Sequence, residues 1–180
     1  MARPPVALEL GRRVFICALT ARHRDELGAL MKVSRGALAP WVAPPAGHAA
    51  FDAYLRRSRG LTERALLVYR REDRAITGVI NMSQIFYGNF CSADLGYYAG
   101  APFMGQGYMS DGLRLVLRHA FGTLGLHRLE ANIQPENRDS IRLVRPAGFR
   151  REGFSPRYLK IPGRWRDHER WAITAEAFRR

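Results

Sequence analysis

The stretch that decides the fold is residues 94–109, which read DLGYYAGAPFMGQGYM. Its first six residues predict a strand, Pro102 helps to end it, and a helix is predicted over residues 107–121. Between them lie Gly105 and Gly107, which have no Cβ, so the backbone can turn tightly and ligand atoms can approach its amides. The free amides and the dipole at the start of a helix favour an anion. The stretch therefore predicts a strand, a phosphate-binding turn and a helix in succession.

Charged residues are nearly absent around this stretch. Between Arg74 and Asp111 the only one is Asp94, although charged types make up 25% of the 180 residues. So long a gap is typical of strands that are buried on both faces in the middle of a sheet. We therefore expect residues 94–99 to form the central strand, with Asp94 at its beginning.

Apolar periodicity and turn residues predict the other elements. Strands are expected over residues 14–19, 65–70, 75–86, 127–133, 149–159 and 165–174, with a closing turn at 161–163. Helices are expected after Thr20, over residues 49–58 and over residues 137–145. We expect Trp165 and Trp171 to pack the last two strands onto the core, the alternative for Trp165 being the edge of a substrate groove. Together these elements predict one mixed α/β domain spanning residues 1–180.

The composition limits the class of protein. The 29 Lys and Arg residues exceed the 16 Asp and Glu residues and give a net charge of +13, which favours anionic partners such as coenzyme phosphates, acidic substrates or RNA. Two isolated cysteines offer no disulfide framework, and the five histidines show no metal-ligand spacing. No stretch approaches the roughly 20 apolar residues of a membrane helix. We expect a cytoplasmic protein with no metal and no membrane association.

The glycine turn departs from two well-known phosphate motifs. A Walker loop needs a Lys after its last glycine, and Tyr108 follows Gly107 here. The dinucleotide fingerprint needs a third glycine at the position of Ser110. The alternative is a helix start that simply needs small residues, so the motif has to be judged from its surroundings.

Short motifs accompany the turn in a fixed order along the chain. They are Gly78-Val79-Ile80, Leu95-Gly96-Tyr97, Gly105 with Gly107, Leu129–Asn132, Pro135-Glu136-Asn137, Gly148-Phe149, Glu152-Gly153 and Gly163–His168. This succession resembles the GNAT N-acetyltransferases, and within them the branch that contains the ribosomal-protein-alanine (S5 type) N-acetyltransferases. The resemblance implies a mostly antiparallel twisted sheet of about six to seven strands with helices on both faces. It also implies an acetyl-CoA binding core at about residues 76–150.

The resemblance further implies how acetyl-CoA, the cosubstrate, would bind. The central strand would pair with its pantetheine arm, the turn amides would bind its pyrophosphate, and Ser140 would donate a proton to the departing thiolate. Pro102 stands where the family's loop usually begins with Gln, Arg or Lys, so one side-chain contact is expected to be lost. The residues expected to bind the cofactor are Tyr97, Tyr98, Ala99, Gly105, Gln106, Gly107, Tyr108, Met109 and Asn137.

Acetyl transfer to an amine needs a base, and two carboxylates are candidates. Asp94 comes first, as the only charge in the apolar stretch, and Glu130 second, with Asn132 two residues along on the same strand face. An α-amine has a pKa of about 7.7–8, so a carboxylate or a water bound to it suffices. The alternatives are a turn-capping role for Asp94, a solvent-facing Glu130, and a helix cap formed by Asn137 and Ser140.

The function implied is an acetyl-CoA-dependent N-acetyltransferase that modifies the N-terminal α-amine of a protein by direct attack of the amine on the thioester, and the expected acceptor is a ribosomal protein. One alternative is a GNAT enzyme that acetylates a small-molecule amine. Another is a non-catalytic module with this fold that binds the ribosome or RNA. The basic composition favours this alternative. Against that module, the linear sequence contains no recognised RNA-binding motif and no run of alternating aromatic and basic residues.

Overall fold

The computed structural model describes residues 5–39, 41–161 and 163–178. The strands are β1 (Glu9–Leu10), β2 (Val14–Ala18), β3 (Arg64–Arg70), β4 (Ile76–Phe86), β5 (Ser92–Ala99), β6 (Arg128–Ile133), β7 (Arg150–Ile161) and β8 (Arg164–Thr174). The helices are α1 (Arg24–Leu38), α2 (His48–Ser58), α3 (Tyr108–Arg118), α4 (Arg138–Val144) and α5 (Ala175–Phe178). A π-helical turn, His119–Thr123, extends α3. The predicted closing turn includes residue 162, which lies outside the described residues.

The strands form one sheet in the order β1-β2-β3-β4-β5-β6-β8-β7. Every neighbouring pair is antiparallel except β5 and β6, which are parallel and are joined through α3, as a parallel pair requires. The expected mostly antiparallel sheet is confirmed. Its described strands number eight rather than six to seven, because β1 has only two residues, too few to show an alternating pattern.

Apolar side chains project from both faces of the sheet, since successive residues of a strand point to opposite sides. In β3, Leu66 and Val68 belong to the cluster packed under α3, α4 and α5, whereas Leu67 and Tyr69 belong to the cluster packed under α1 and α2. We name the two sides the α3/α4 face and the α1/α2 face. Helices therefore cover both faces of the sheet, as expected. Within the described residues, no helix is long and apolar enough to cross a bilayer.

The first helix begins later than Thr20 predicts. A turn of 3-10 helix, Ala21–His23, intervenes before α1, and the Thr20 N–H donates to His23 Nδ1 at 2.9 Å. His23 is buried, and this burial, followed by the nearby charge of Arg22, lowers its pKa to about 4. The imidazole is therefore neutral at physiological pH and serves as part of the α1/α2 packing.

The parallel strands β5 and β6 separate soon after they meet. Their pairing covers only three residue pairs, from Ser92 opposite Arg128 to Asp94 opposite Glu130. Beyond these pairs, β5 continues to Ala99 alongside β4, and β6 continues to Ile133 alongside β8. A gap therefore opens at their carboxyl ends, which is where ligands bind in open α/β sheets.

Candidate functional site

A cleft of about 440 Å³ lies at the carboxyl end of β5, and neither Asp94 nor Glu130 is among its lining residues. Its walls come from the end of α1, the end of β5, the glycine turn and α4. The lining includes Leu38, Tyr97, Tyr98, Ala99, Gly105, Gly107, Met109, Asn137 and Ser140. Seven of the nine residues expected to bind the cofactor are thus brought to one cleft; Gln106 and Tyr108 are not among its lining residues.

The glycine turn presents main-chain amides at the start of α3. Gly105 and Gly107 have φ angles of +73° and +81°, a left-handed conformation that glycine adopts without strain. The first hydrogen bond of α3 runs from the Asp111 N–H to the Gly107 carbonyl at 3.1 Å, so the amides before it have no partner within the helix. The turn can therefore hold an anion by its backbone alone.

Pro102 lies in a short 3-10 turn, Ala101–Phe103, and is not among the residues that line the cleft. Its carbonyl accepts a hydrogen bond of 2.8 Å from Gln106 Nε2. The Gln106 side chain is thus used to hold the turn, and only its main chain can face a ligand. The departure from the family's usual loop leaves the turn intact.

Two arginines that the sequence alone did not indicate, Arg13 and Arg70, contact the glycine turn and the first residues of α3. Arg13 Nε donates to Asp111 at 2.7 Å, and Arg13 Nη1 donates to the Gln106 carbonyl at 3.1 Å. The guanidinium carbons of Arg13 and Arg70 lie 5.3 and 5.7 Å from the centre of the Tyr108 ring. Arg13 is 98 residues from Asp111 in sequence, so no local pattern could have revealed the pair. By pairing with Asp111, Arg13 offsets the one carboxylate that would repel an anion at this helix start.

Asn137 and Ser140 of the α4 region meet Tyr97 of β5. Asn137 Oδ1 accepts the Ser140 N–H at 3.1 Å, which confirms the helix-capping alternative and leaves the Asn137 amide NH₂ for other contacts. Ser140 Oγ donates to the Tyr97 hydroxyl at 2.9 Å, and that hydroxyl donates to the Ser140 carbonyl at 3.4 Å. Burial raises the pKa of Tyr97 to about 12, although the bond from Ser140 opposes the shift. Both hydroxyls therefore stay protonated and can act as donors.

The two candidate carboxylates lie side by side. Asp94 and Glu130 are opposite each other in the β5–β6 pairing, and neighbouring strands are about 4.8 Å apart. Burial raises the pKa of Asp94, and the negative charge of Glu130 raises it further. Glu130 accepts a hydrogen bond of 2.8 Å from Arg128 Nε, whereas no ion pair of Asp94 is found among the described residues. Asp94 is therefore the freer proton acceptor of the two.

The sheet separates these carboxylates from the hydroxyl donors. Asp94 has the same strand parity as Tyr98, which packs on the α1/α2 face, whereas Tyr97 packs on the α3/α4 face with Ile141 and Leu143 of α4. Asp94 and Ser140 are therefore not brought together on one face. A reacting atom held in the gap between β5 and β6 would have a proton acceptor on one side and hydroxyl donors on the other. In the part of the chain that the structure describes, no three His, Cys, Asp or Glu side chains form a metal-binding group.

Comparison with known sequences relates the chain to acetyltransferases. Residues 13–150 match the acetyltransferase (GNAT) domain. The ribosomal protein uS5-alanine N-acetyltransferase of Escherichia coli is 38% identical over 103 residues, 57% of this chain and 53% of that protein. The probable N-acetyltransferase YjcK of Bacillus subtilis is 37% identical over 106 residues, 59% of each chain. The match thus spans little more than half the length of these relatives.

Solved structures extend the likeness to nearly the whole chain. RimJ of Mycobacterium smegmatis, in complex with CoA-disulfide, has a TM-score of 0.84 at 26% identity and covers 93% of this chain and 84% of its own. Spermidine N-acetyltransferase of Vibrio cholerae, in complex with CoA and spermine, has a TM-score of 0.79 at 20% identity, with 93% and 99% covered, and shows the fold alone. Since the matched domain runs from the start of β2 through the cleft to the start of β7, the chain belongs to the GNAT acetyltransferase family.

Proposed function

We propose that this protein uses acetyl-CoA to acetylate the N-terminal α-amine of a protein, with a ribosomal protein as the acceptor. The observation that carries the proposal is the cleft at the end of β5, where the glycine-turn amides lie beside the gap that opens after Asp94 and Glu130. The relative in Escherichia coli, named for acetylating ribosomal protein uS5, supports the choice of acceptor. We propose a single catalytic domain over residues 1–180, with its cofactor-binding core at residues 76–150, acting in the cytoplasm.

The residues of the cleft fit acetyl-CoA. The turn of Gly105 and Gly107 offers unpartnered amides to a pyrophosphate, and the edge of β5 beyond Asp94 offers main-chain groups to an extended amide-bearing arm. The Asn137 amide NH₂ is free to donate because Ser140 uses only its oxygen. When bound, acetyl-CoA supplies an activated acetyl carbonyl as a thioester. We propose that Tyr97, Tyr98 and Ala99 hold its arm and that residues 105–109 hold its phosphates.

Two proton transfers follow from the arrangement of side chains. Asp94, directly or through a water, takes a proton from the acceptor amine, and its raised pKa brings it nearer to that of an α-amine. Glu130 increases the negative charge beside Asp94 and acts as second candidate base. On the other side of the sheet, the Ser140 hydroxyl turns its proton from Tyr97 to the departing thiolate, and the Tyr97 O–H then turns from the Ser140 carbonyl to donate to Ser140 Oγ, with water returning the proton to Tyr97.

Small-molecule amines are the alternative acceptors, because Asp94 and Glu130 would also attract a polycation such as a polyamine. The net charge of +13 opposes such a ligand at long range, which favours the less cationic peptide amine.

The test is release of free thiol from acetyl-CoA with a panel of acceptors. The panel contains peptides with a free N-terminal alanine, the same peptides with a blocked terminus and one internal lysine, and spermidine. We expect activity on the free α-amine only, lost in Asp94→Asn. Activity on spermidine alone would replace the protein acceptor by the small-molecule alternative, and no activity together with no thermal stabilisation by acetyl-CoA would remove the enzyme assignment in favour of a binding module.

A further inference from the structure

The last two strands extend well beyond the rest of the sheet. The inner part of β8, from Glu169 to Thr174, pairs with β6, but β6 ends there. Farther out, β7 and β8 pair only with each other, and we name this outer part, residues 156–161 and 163–167, the hairpin arm. All of its described residues are exposed except Ile161, which is half-buried. The arm is therefore a two-stranded ribbon with both faces in solvent.

Large apolar side chains lie uncovered on this arm. Trp165 is 60% exposed, and Tyr158 and Leu159 are 41% and 38% exposed. Trp171, on the inner part of the same strand, is 7% exposed, so the expectation that both tryptophans pack the strands is confirmed for Trp171 and wrong for Trp165. The reason is that Trp165 pairs with Lys160 beyond the last residue of β6, where no helix or strand of the described residues covers it. Two exposed aromatic residues on one short ribbon, Tyr158 and Trp165, favour a binding surface here.

The same arm carries four cations without a counter-ion. Arg157, Lys160, Arg164 and Arg166 make no ion pair among the described residues. Asp167, the one acidic residue of the arm, accepts the main-chain N–H of Arg157 at 2.7 Å. On the inner part of these strands Arg151 lies 3.1 Å from Glu169, whereas Arg150 and Arg170 also make no ion pair among the described residues. The arm therefore carries a net local positive charge that favours an anionic partner.

We propose that the hairpin arm binds single-stranded nucleic acid that wraps around the ribbon, with a base stacked on Trp165 and phosphates held by the four cations. Single strands bind aromatic faces and basic side chains, since every base has a flat face and every nucleotide a phosphate. In the strand pairing Lys160 is opposite Trp165 and shares its face, whereas Arg164 and Arg166, on either side of Trp165 in the chain, belong to the other face. A second copy of the chain is a poorer partner, because two arms with the same net positive charge would repel each other. The proposal goes beyond acetyl transfer and does not depend on it.

The test uses fluorescence anisotropy of labelled 12-nucleotide RNA and DNA single strands with the full chain. The key variant replaces Arg157, Lys160, Arg164 and Arg166 by Gln. The matched control replaces Lys32, Arg35, Arg56 and Arg59, which are also three arginines and one lysine, all exposed and without an ion pair among the described residues, on α1 and α2 and the residue after α2. Both variants lose four charges, so net charge alone affects them equally.

Four phosphate contacts predict a slope of about −2.8 in log K against log salt for a single strand, a loss of roughly 50-fold between 50 and 200 mM salt. We expect the arm variant to lose about this slope and the control to keep most of it. Trp165→Ala should weaken binding about 5- to 100-fold without changing the slope, and Trp165→Phe should recover part of the loss. Tighter binding of RNA than of DNA would identify RNA as the source of the ligand.

Three outcomes would overturn the proposal. An equal loss in the arm variant and the control would mean that only net charge attracts nucleic acid. Unchanged affinity in Trp165→Ala would remove the stacking. A wild-type dimer that becomes monomeric in Trp165→Ala during sedimentation would mean that the arm is covered by a second copy. Acetyl transfer to a free peptide is expected to be unchanged in the variant with four Gln residues, so failure of the enzyme assignment and failure of this proposal are distinguishable.

Discussion

Replacing the glycines of the turn by alanine tests whether main-chain amides hold the acyl donor. Gly105 has a φ of +73°, and a Cβ there would meet no atom within 4 Å, so Gly105→Ala changes only the backbone preference. At Gly107, with a φ of +81°, a Cβ would also lie 2.9 Å from Arg13 Nη2. Displacing Arg13 would loosen its hydrogen bond to the Gln106 carbonyl. Gly88 is the matched control, because it has a φ of +75°, open space around a Cβ, and a place in the turn between β4 and β5.

The expected changes in stability follow from the backbone conformation of the glycines and from the affinity for acetyl-CoA. A left-handed conformation costs alanine about 1–2 kcal/mol, and the loss of unfolded-state entropy returns about 0.4–1 kcal/mol, which leaves roughly 1 kcal/mol. For a chain of this size that is about 2–4 °C in Tm. Acetyl-CoA at 100 times its Kd adds about 2.7 kcal/mol of stability, or about 5–10 °C. A tenfold weaker Kd reduces that increment to about 1.4 kcal/mol, or about 3–6 °C.

The assay is thermal unfolding of each variant with and without acetyl-CoA. We expect Gly88→Ala and Gly105→Ala to lose the same few degrees without ligand. With ligand, Gly88→Ala should keep the full stabilisation, whereas Gly105→Ala and Gly107→Ala should keep half of it or less, with Gly107→Ala the more affected. Full stabilisation of both turn variants would refute the assignment of the turn amides to the donor's phosphates.

Four further predictions concern charge and capping. Asp94→Asn should lower kcat/KM for a peptide amine by about 10²- to 10⁴-fold and raise Tm at neutral pH, because a carboxylate whose pKa is raised by burial destabilises the fold above that pKa. Glu130→Gln should move the acid limb of the rate profile to lower pH, since it removes one of the two causes that raise the pKa of Asp94. Asn137→Ser should keep the cap of α4 and weaken acetyl-CoA binding, whereas Asn137→Ala should also cost about 1 kcal/mol of stability in denaturant unfolding. Protonation of His23, whose pKa is lowered to about 4 against about 6.5 unfolded, should cost the fold up to about 3 kcal/mol of stability as pH falls through that window. His23→Gln should therefore flatten the pH dependence of Tm.

The elements near the cleft were predictable because local patterns determine them. The charge gap between Arg74 and Asp111 located β4 and β5, and the paired glycines located the start of α3. The capping alternative for Asn137 and Ser140 was also visible, since capping depends on residues three apart.

Features that depend on long-range pairing were not predictable. Arg13 meets Asp111 across 98 residues, and Tyr97 meets Ser140 across 43, so no local pattern records either contact. The exposure of Trp165 depends on where its neighbour β6 ends, which the sequence of β8 does not contain. In a strand with alternating apolar and polar residues, a tryptophan is predicted to be buried in the core unless the length of the adjacent strand is known.

The short pairing of β5 with β6 also has a consequence for how the molecule responds to its surroundings. Three residue pairs join the two halves of the sheet directly, so the amides from Leu95 to Ala99 have no strand partner on that side. A bound pantetheine chain would act as a surrogate strand and bridge the halves. Amide hydrogens there should exchange more slowly as donor concentration rises, so the rigidity of this sheet would vary with the supply of acyl donor in the cell.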